Sequence, residues 1–188
     1  MKVSLKKCNF GQHQLLALGH TVSELSLAID QNKVAEVLQK PVPRNIKQMQ
    51  SFLEFASYYR NHIKNFAHIT SSLYSLCSED VVFEITKEIR DAYERPKHEL
   101  TNPPVLILPD FELPFKLYIG AALHQRQIVD GEPREGVIFY ISRQLKDSEV
   151  RYGATQTECL CLVQALEKLH YYLEGAVFEV FIEYEDYQ

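Results

Sequence analysis

Three basic side chains in the first half of the chain could bind phosphate groups. They are Lys47, Arg60 and Lys64, and the apolar residues around them recur every three or four positions through residue 66, which predicts one amphipathic helix. Residues 1–80 hold 9 Lys/Arg and 6 Asp/Glu, whereas residues 81–188 hold 11 and 19. A basic first half suits contact with nucleic-acid phosphates. An ordinary solvated surface would account for the same charges equally well.

The other residue types that often carry chemistry lack useful spacing here. The seven histidines show no H-x-x-x-H pattern of metal ligands, and the four cysteines form no C-x-x-C pair. We therefore expect isolated histidines and reduced, structural thiols. The chain also lacks a G-x-S-x-G nucleophile motif and a glycine-rich phosphate loop. No apolar run is long enough for a membrane span or secretion signal, so we expect an intracellular protein, in the cytoplasm or nucleus, with no membrane partner.

Capping residues predict where the helices of the first half begin. Asn45 followed by Gln48 has the spacing of a capping box, and it opens the helix that carries the three basic residues. A second, shorter helix is predicted at about residues 71–77. The adjacent Tyr58 and Tyr59 follow the apolar stripe of the first helix, so packing in the core is favoured over stacking on bases.

Two helices are predicted in the second half. Thr86 can cap a helix over residues 87–100, but position 96 is a proline on the apolar stripe. Proline removes a helical hydrogen bond and clashes with the preceding turn, so this helix is expected to bend or end just before Pro96. Thr155 and Glu158 form a second capping-box pattern, which opens a helix that closes before residue 175.

Short segments with a β-strand pattern complete the chain. Residues 2–23 read as two strands around a turn at residues 11–13. After residue 110, strands are predicted at residues 114–119, 120–128 and 137–142, and a last strand at residues 177–184 follows the helix. The pattern predicts a fold of the α+β or α/β class.

Short motifs over nearly the whole chain resemble those of one family. In chain order they are Lys7-Cys8-Asn9-Phe10, Leu18-Gly19-His20-Thr21-Val22-Ser23, Phe52-Leu53-Glu54-Phe55-Ala56-Ser57-Tyr58-Tyr59-Arg60, Pro109-Asp110-Phe111 and Tyr140-Ile141-Ser142-Arg143-Gln144-Leu145. Together they resemble the reverse transcriptase and ribonuclease H region of gypsy-type LTR retrotransposon Pol polyproteins. The resemblance implies the end of a polymerase palm, a β-hairpin, at residues 1–30, and a helical thumb or connection at 31–80. It implies a truncated ribonuclease-H-like mixed sheet with a helix at 81–188.

The resemblance also implies nucleic-acid partners. The family acts on RNA–DNA hybrids and primer-templates, and this chain would work beside the remainder of Pol. In the family the L-G-H strand lies near the primer, so Gly19 and His20 join the three basic residues as expected nucleic-acid contacts. The Y-x-D-D motif that carries the family's paired polymerase aspartates occurs nowhere in the chain. The polymerase centre is therefore expected to lie outside it.

Ribonuclease H activity in the family uses a cluster of carboxylates that holds paired Mg²⁺ ions. The resemblance places two catalytic, metal-binding carboxylates here, at Glu158 and, where the family has an aspartate, at Glu183. The first aspartate is absent, because a segment of the family motif is missing between Ile119 and Gly120. That segment also carries a strand-to-strand turn, so the two flanking strands are expected not to fold back on each other in the usual register. We expect no stable Mg²⁺ binding.

Two functions remain open on the sequence alone. The chain could be a ribonuclease H segment, with the family's endonuclease and nucleotidyltransferase activities, that acts only with the rest of Pol. Alternatively, it is a catalytically dead remnant that binds nucleic acid or protein. The absent aspartate and the change to Glu183 favour the second function. Departures from the family pattern at Glu54, Ser72 and Ile85 point the same way.

Overall fold

A computed structural model describes residues 8–120 and 122–182 and shows two four-stranded sheets with helices packed around them. The first sheet is antiparallel, in the order β1 (Gln14–Ala17), β2 (His20–Ser23), β3 (Ser26–Ile29) and β4 (Leu106–Ile107). The turn between β1 and β2 is formed by Leu18 and Gly19, which follow the paired Ala17 and precede its partner His20. The strand predicted after residue 13 is instead this β1–β2 hairpin. The turn at residues 11–13 stays a prediction, because most of the strand predicted before it lies outside the described residues.

The helices of the first half are α1 (Gln31–Leu38), α2 (Ile46–Tyr58), a 3-10 helix (Arg60–His62) and α3 (Phe66–Leu76), and α4 (Lys87–Thr101) packs with them. Of these, α2 and α4 begin at the predicted caps. Asn45 Oδ1 accepts a hydrogen bond from the Gln48 amide at 2.9 Å, and Thr86 Oγ1 accepts one from the Ile89 amide at 3.3 Å. These side chains satisfy amides that have no partner within the helix.

The predicted single helix that continues through residue 66 is wrong. It ends at Tyr58, and Asn65 adopts a left-handed conformation with φ of 55° before α3 begins. The second helix consequently starts at Phe66 rather than near residue 71. The apolar stripe nevertheless continues, because Ile63 and Phe66 are both buried. The stripe therefore marked the buried side chains correctly but not the break in the backbone.

A first hydrophobic core lies among these helices. Its buried members are Ile29, Val34, Val37, Met49, Phe52, Leu53, Ala56, Tyr59, Ile63, Phe66, Leu73, Leu76, Tyr93 and Leu100. Phe52 and Tyr93 have ring centroids 4.4 Å apart, which joins α2 to α4. The core therefore fixes α4 against the helices that carry the basic residues.

Pro96 lies inside α4, which does not end before it but continues to Thr101. Of the two predicted outcomes, an end just before Pro96 is wrong, and a bend there stays a prediction. Pro96 does lie on the buried face, together with Tyr93 and Leu100. Lys97 is also buried there, and its ammonium donates to the Lys40 carbonyl at 3.2 Å. Packing on this face holds the helix together despite the missing amide.

The second sheet has the order β7, β6, β5, β8. Its strands are β5 (Phe115–Tyr118), β6 (Ala122–Val129), β7 (Glu132–Tyr140) and β8 (Phe178–Phe181), and only the β5–β8 pair is parallel among these described strands. Helices α5 (Ala154–Lys168) and α6 (His170–Leu173) cover one face. The buried side chains between them are Phe115, Leu117, Leu123, Ile138, Ala165, Leu169 and Leu173. This is the predicted mixed sheet with a helix.

Strands β5 and β6 form an antiparallel hairpin, contrary to the expectation that they could not fold back. Tyr118 pairs with Ala122, so only residues 119–121 connect the two strands. Gly120 has a φ of 79°, a left-handed conformation that glycine adopts without strain. The glycine that follows the missing segment therefore allows the short connection to close.

The start of α5 also differs from the prediction. Its N-cap is Gly153, whose amide donates to the Gln156 side chain at 3.0 Å. Thr155 and Glu158 are both inside the helix, so the predicted capping box between them is wrong. Within the described residues, we find no helix that combines the length and the apolar character needed to span a membrane.

Candidate nucleic-acid interface

The turn between β1 and β2 is locally strained. Leu18 and Gly19 both have positive φ, at 50° and 77°, as two-residue hairpin turns of type I′ require. A leucine in this region is uncommon, and its side chain is 85% exposed, so burial does not stabilise it. Strain of this kind persists only where surrounding contacts enforce it, and it clusters at functional sites.

Two tyrosines at the end of α2 hold this turn. The Tyr58 hydroxyl donates to the Leu18 carbonyl at 2.6 Å, and the Tyr59 hydroxyl donates to the Gly19 carbonyl at 3.2 Å. A Cβ on Gly19 would lie 2.5 Å from the Tyr59 hydroxyl oxygen, so only glycine fits. Burial raises the pKa of Tyr59, and Tyr58 and Asp30 raise it further. The L-G-H and Y-Y-R motifs are far apart in sequence but are in direct contact in the structure.

His20 extends this contact into a cluster of rings. Its ring centroid lies 5.5 Å from Tyr58, 5.2 Å from Tyr59 and 5.5 Å from His62, which is nearly parallel to it. His62 is buried, with Nδ1 3.5 Å from the Pro104 carbonyl oxygen. Burial lowers the pKa of His62 to about 4; the contact with Pro104 opposes this shift, and His20 adds to it. His62 is therefore neutral at pH 7.

Of the three predicted basic residues, Arg60 and Lys64 lie in or just after the 3-10 helix, whereas Lys47 lies near the start of α2. Arg60 follows the two tyrosines directly, and its Nη2 donates to the Ser142 carbonyl at 2.9 Å. Lys64 is exposed just beyond the 3-10 helix. Lys47 is exposed at the opposite end of α2, about 20 Å from Arg60 at the rise of a helix. Part of the guanidinium that was expected to meet phosphate is therefore bound within the protein.

A cleft of about 460 Å³ opens beside this cluster, between the two sheets. Its walls include His20, Tyr58, Asn61, Phe139, Lys168 and Tyr172. Desolvation lowers the pKa of Lys168, and the nearby positive charge of Arg60 lowers it further, although much of the lysine side chain remains at the surface. Rings and a cation at one cleft suit stacking on bases and contact with phosphate.

Only one of the two expected ribonuclease H carboxylates lies in the described part of the chain. Glu158 is half-buried in the second turn of α5, while Glu183 lies outside the described residues. The Ile119 amide donates to the Phe181 carbonyl at 3.0 Å, so the ends of β5 and β8 lie side by side. Across residues 8–120 and 122–182, no three His, Cys, Asp or Glu side chains could share a metal ion. This donor set does not fit a paired-metal site.

A polar network that the sequence did not reveal lies on the sheet face away from α5. The carboxylate of Glu135 accepts hydrogen bonds from Lys116 and from the Tyr118 hydroxyl, and His124 Nδ1 lies 3.3 Å away. The bond from Lys116 lowers the pKa of Glu135, and the same bond raises that of Lys116. Phe181 stacks on Tyr118 with ring centroids 5.0 Å apart. Only the register of four neighbouring strands brings these residues together, so no local pattern could have predicted the network.

Comparison with known proteins identifies the family. Residues 85–180, half of the chain, match the RNase H-like domain found in reverse transcriptase. The chain belongs to this family. Its relatives are retrotransposon Pol polyproteins. It is 33% identical over 186 residues to the Pol polyprotein of transposon 297 from Drosophila melanogaster, in a match that covers 95% of this chain and 17% of that protein.

Further relatives extend the similarity beyond the RNase H-like domain. The Pol polyprotein of transposon gypsy from Drosophila melanogaster is 33% identical over 94% of this chain and 18% of its own length. The chain therefore spans less than a fifth of either Drosophila polyprotein. A foamy viral protease-reverse transcriptase, solved with an RNA/DNA hybrid, has a similar fold, with a TM-score of 0.77 and 22% identity over 95% of this chain and 25% of that one. The predicted retrotransposon family and α+β fold are confirmed.

Proposed function

We propose that this chain is a nucleic-acid-binding piece of a Pol-type reverse transcriptase whose RNase H-like domain does not cleave RNA by itself. The main support is the connection at residues 119–121, which directly joins β5 to β6 where the family motif inserts its first aspartate. This connection consists of Ile, Gly and Ala and supplies no carboxylate. Without that ligand, Glu158 and Glu183 would have to hold two closely spaced metal ions alone, which is too few charges for such a site.

The proposal also covers the metal. RNase H-like domains of reverse transcriptases use divalent cations, and Mg²⁺ is the ion that the resemblance implies. We propose that Mg²⁺ does not bind stably here. The donor set of the described residues supports this, since Glu158 lies in no group of potential ligands.

A hydrolysis assay tests this proposal. The purified chain should release no labelled RNA from an RNA–DNA hybrid in Mg²⁺ or Mn²⁺ above the level of a Glu158→Gln variant. A matched Glu167→Gln variant, changed at an exposed position of the same helix, controls for loss of charge on α5. Cleavage that Glu158→Gln abolishes and Glu167→Gln preserves would contradict the proposal.

The proposed ligand is an RNA–DNA hybrid or a primer-template. The foamy viral reverse transcriptase of similar fold was solved with such a hybrid, which supports the same ligand class here. The strained turn at Leu18 and Gly19, the adjacent His20, the exposed Lys64 and Lys47, and the cleft lined by Lys168 have the chemistry that phosphates and bases require. Because the first half carries only a small excess of positive charge, we expect weak, salt-sensitive binding.

One observation favours the alternative, an RNA-cleaving segment that acts within a complete Pol protein. The β5–β6 hairpin closes despite the shortened motif, and the Ile119–Phe181 bond keeps β5 beside β8. The strands that would carry an RNase H site therefore still pair with each other, although the segment with the first metal ligand is missing. In this alternative, hydrolysis in the assay above would require the rest of a Pol polyprotein, added as a separate chain.

The proposed protein partner is the remainder of a Pol-type polyprotein inside the cell. The chain spans only 17% and 18% of the two Drosophila polyproteins compared above. Among the described strands, β1 is an edge of the first sheet, and Leu16 and Leu18 beside that edge are 58% and 85% exposed. An exposed edge strand with apolar side chains is a favourable surface for pairing with another chain segment.

A further inference from the structure

Helix α3 begins without a side-chain cap of its own. Its N-cap residue Asn65 is in the left-handed conformation and makes no side-chain cap hydrogen bond. The amides of a first helical turn have no acceptor within the helix and need one from elsewhere. In this molecule the acceptor is Ser142, whose Oγ receives the Ala67 amide at 3.1 Å. Ser142 follows β7, so the cap comes from the second sheet.

The same serine accepts a second hydrogen bond from the helical part of the chain. Arg60 Nη2 donates to the Ser142 carbonyl oxygen at 2.9 Å. The Ser142 side chain therefore accepts a hydrogen bond from an α3 amide, and the Ser142 backbone carbonyl accepts one from the Arg60 guanidinium. Both hydrogen bonds are partly buried. Water therefore competes less with the charged bond from Arg60 and the neutral bond from Ala67.

The segment between the two cores is bound mainly to the second sheet. The buried Gln125 amide donates to the carbonyls of Asp110 and Leu113 at 2.6 and 3.0 Å, and its oxygen accepts the Asp110 amide at 2.9 Å. Gln127 adds a bond to the Leu108 carbonyl at 2.7 Å. Residues 108–113 are therefore bound to the second sheet, while β4 just before them belongs to the first sheet. Besides this connection, the helical part contacts the second sheet where the 3-10 helix packs against β7 and where Ser142 binds α3.

We propose that Ser142 supplies, from across the junction, the capping hydrogen bond that the N-cap residue Asn65 does not make, and that it couples the stability of α3 to the docked RNase H-like sheet. Arg60 acts with it by holding the Ser142 backbone in place. This assigns a positioning role to the serine of the Y-x-S-R-x-L motif and to the arginine of the Y-Y-R motif. The inference is independent of whether the chain binds or cleaves nucleic acid.

Amide hydrogen exchange of the full chain, followed by NMR, tests the proposal. Ser142→Ala should speed exchange of the Ala67 amide about fivefold or more, as expected when a helix cap is lost, while Ser142→Thr, which keeps the hydroxyl, should restore protection. Ser71→Ala is the matched control, because Ser71 Oγ bonds the His68 carbonyl within α3. Unchanged exchange of Ala67 in Ser142→Ala would overturn the assignment.

A second measurement separates coupling from a purely local cap. Ile138→Val mildly destabilises the second core at a buried position of β7. It should speed exchange at Ala67 in the chain with Ser142 but have little effect in the Ser142→Ala chain. Equal effects in both chains would contradict the coupling. Should Ser142→Ala not fold, Arg60→Gln replaces it, and faster exchange at Ala67 supports the proposal whereas unchanged exchange contradicts it.

Discussion

At the scale of single residues, Gly19 shows how a short motif encodes a tertiary contact. Its positive φ serves the turn, and its missing side chain admits the Tyr59 hydroxyl. The sequence predicted that Gly19 and His20 belong to the interface through a resemblance. It could not predict that Tyr59 and His62 hold them, because Tyr59 lies on an apolar stripe that indicates only burial and His62 belongs to no motif or ligand spacing. Arg60 was predicted to contact phosphate, but its bond to Ser142 shows that part of its charge serves the fold.

Replacement of Gly19 by alanine should destabilise the chain strongly. The new Cβ would combine backbone strain with a clash against the Tyr59 hydroxyl, so Gly19→Ala should lower the free energy of unfolding by about 2 to 4 kcal/mol. Gly11→Ala is the control, since Gly11 also has positive φ but a Cβ added there would meet no atom within 4 Å; it should lower this energy by about 1 kcal/mol. Urea unfolding measures both, and equal losses would show that the clash is absorbed.

Acid should weaken the fold through His62. The pKa of His62 is about 4 in the folded chain and is expected near 6.5 when unfolded. Above pH 6.5 neither state binds the proton and the full stability is present. As pH falls from 6.5 to 4, only the unfolded state gains the proton, so stability should fall by up to about 3 kcal/mol and then level off.

Unfolding experiments across this pH range check the prediction for His62. His62→Gln should remove this part of the pH dependence, whereas His68→Gln, at an exposed position of α3, should leave it in place. An NMR titration of His62 with an ordinary pKa near 6.5 would contradict the account.

At the scale of elements, local sequence predicted the starts of α2 and α4 but not those of α3 and α5. Asn45 and Thr86 are caps in the structure because these two caps depend on neighbouring residues alone. The break after Tyr58 was missed, since it depends on bonds to a hairpin far away in sequence. The β5–β6 turn was missed for a different reason, because Gly120 allows a tighter connection than the family motif suggests.

Helix α4 should gain stability when its proline is replaced. Pro96 is buried inside the helix, where it removes an amide donor and has a low helix propensity. Pro96→Leu should raise the free energy of unfolding by about 2 kcal/mol, combining better propensity with retained apolar volume. Pro104→Leu, outside the helix, should give no such gain. Thermal unfolding compares the two, and an unchanged midpoint for Pro96→Leu would show that the fold fully accommodates the proline.

At the scale of the whole molecule, two cores meet at a junction made largely of side-chain to backbone hydrogen bonds. The glutamines of β6 hold the connecting segment, and Ser142 and Arg60 bind the helical part. Such a junction presents the L-G-H turn and the RNase H-like sheet in one fixed arrangement. Sequence reasoning predicted both parts and the family, but not the junction, because each of its bonds joins residues that are distant along the chain.

The most direct test of the account measures binding of an uncleaved RNA–DNA hybrid as a function of salt. If the helical part supplies the phosphate contacts, the logarithm of the affinity should fall with the logarithm of salt concentration with a slope of about −2 to −3. Lys47→Gln and Lys64→Gln should each make the slope shallower by about one unit, while Lys87→Gln, exposed at the start of α4, should not change it. Undiminished binding in the Lys47→Gln, Lys64→Gln double variant, with an unchanged slope, would contradict the proposed interface.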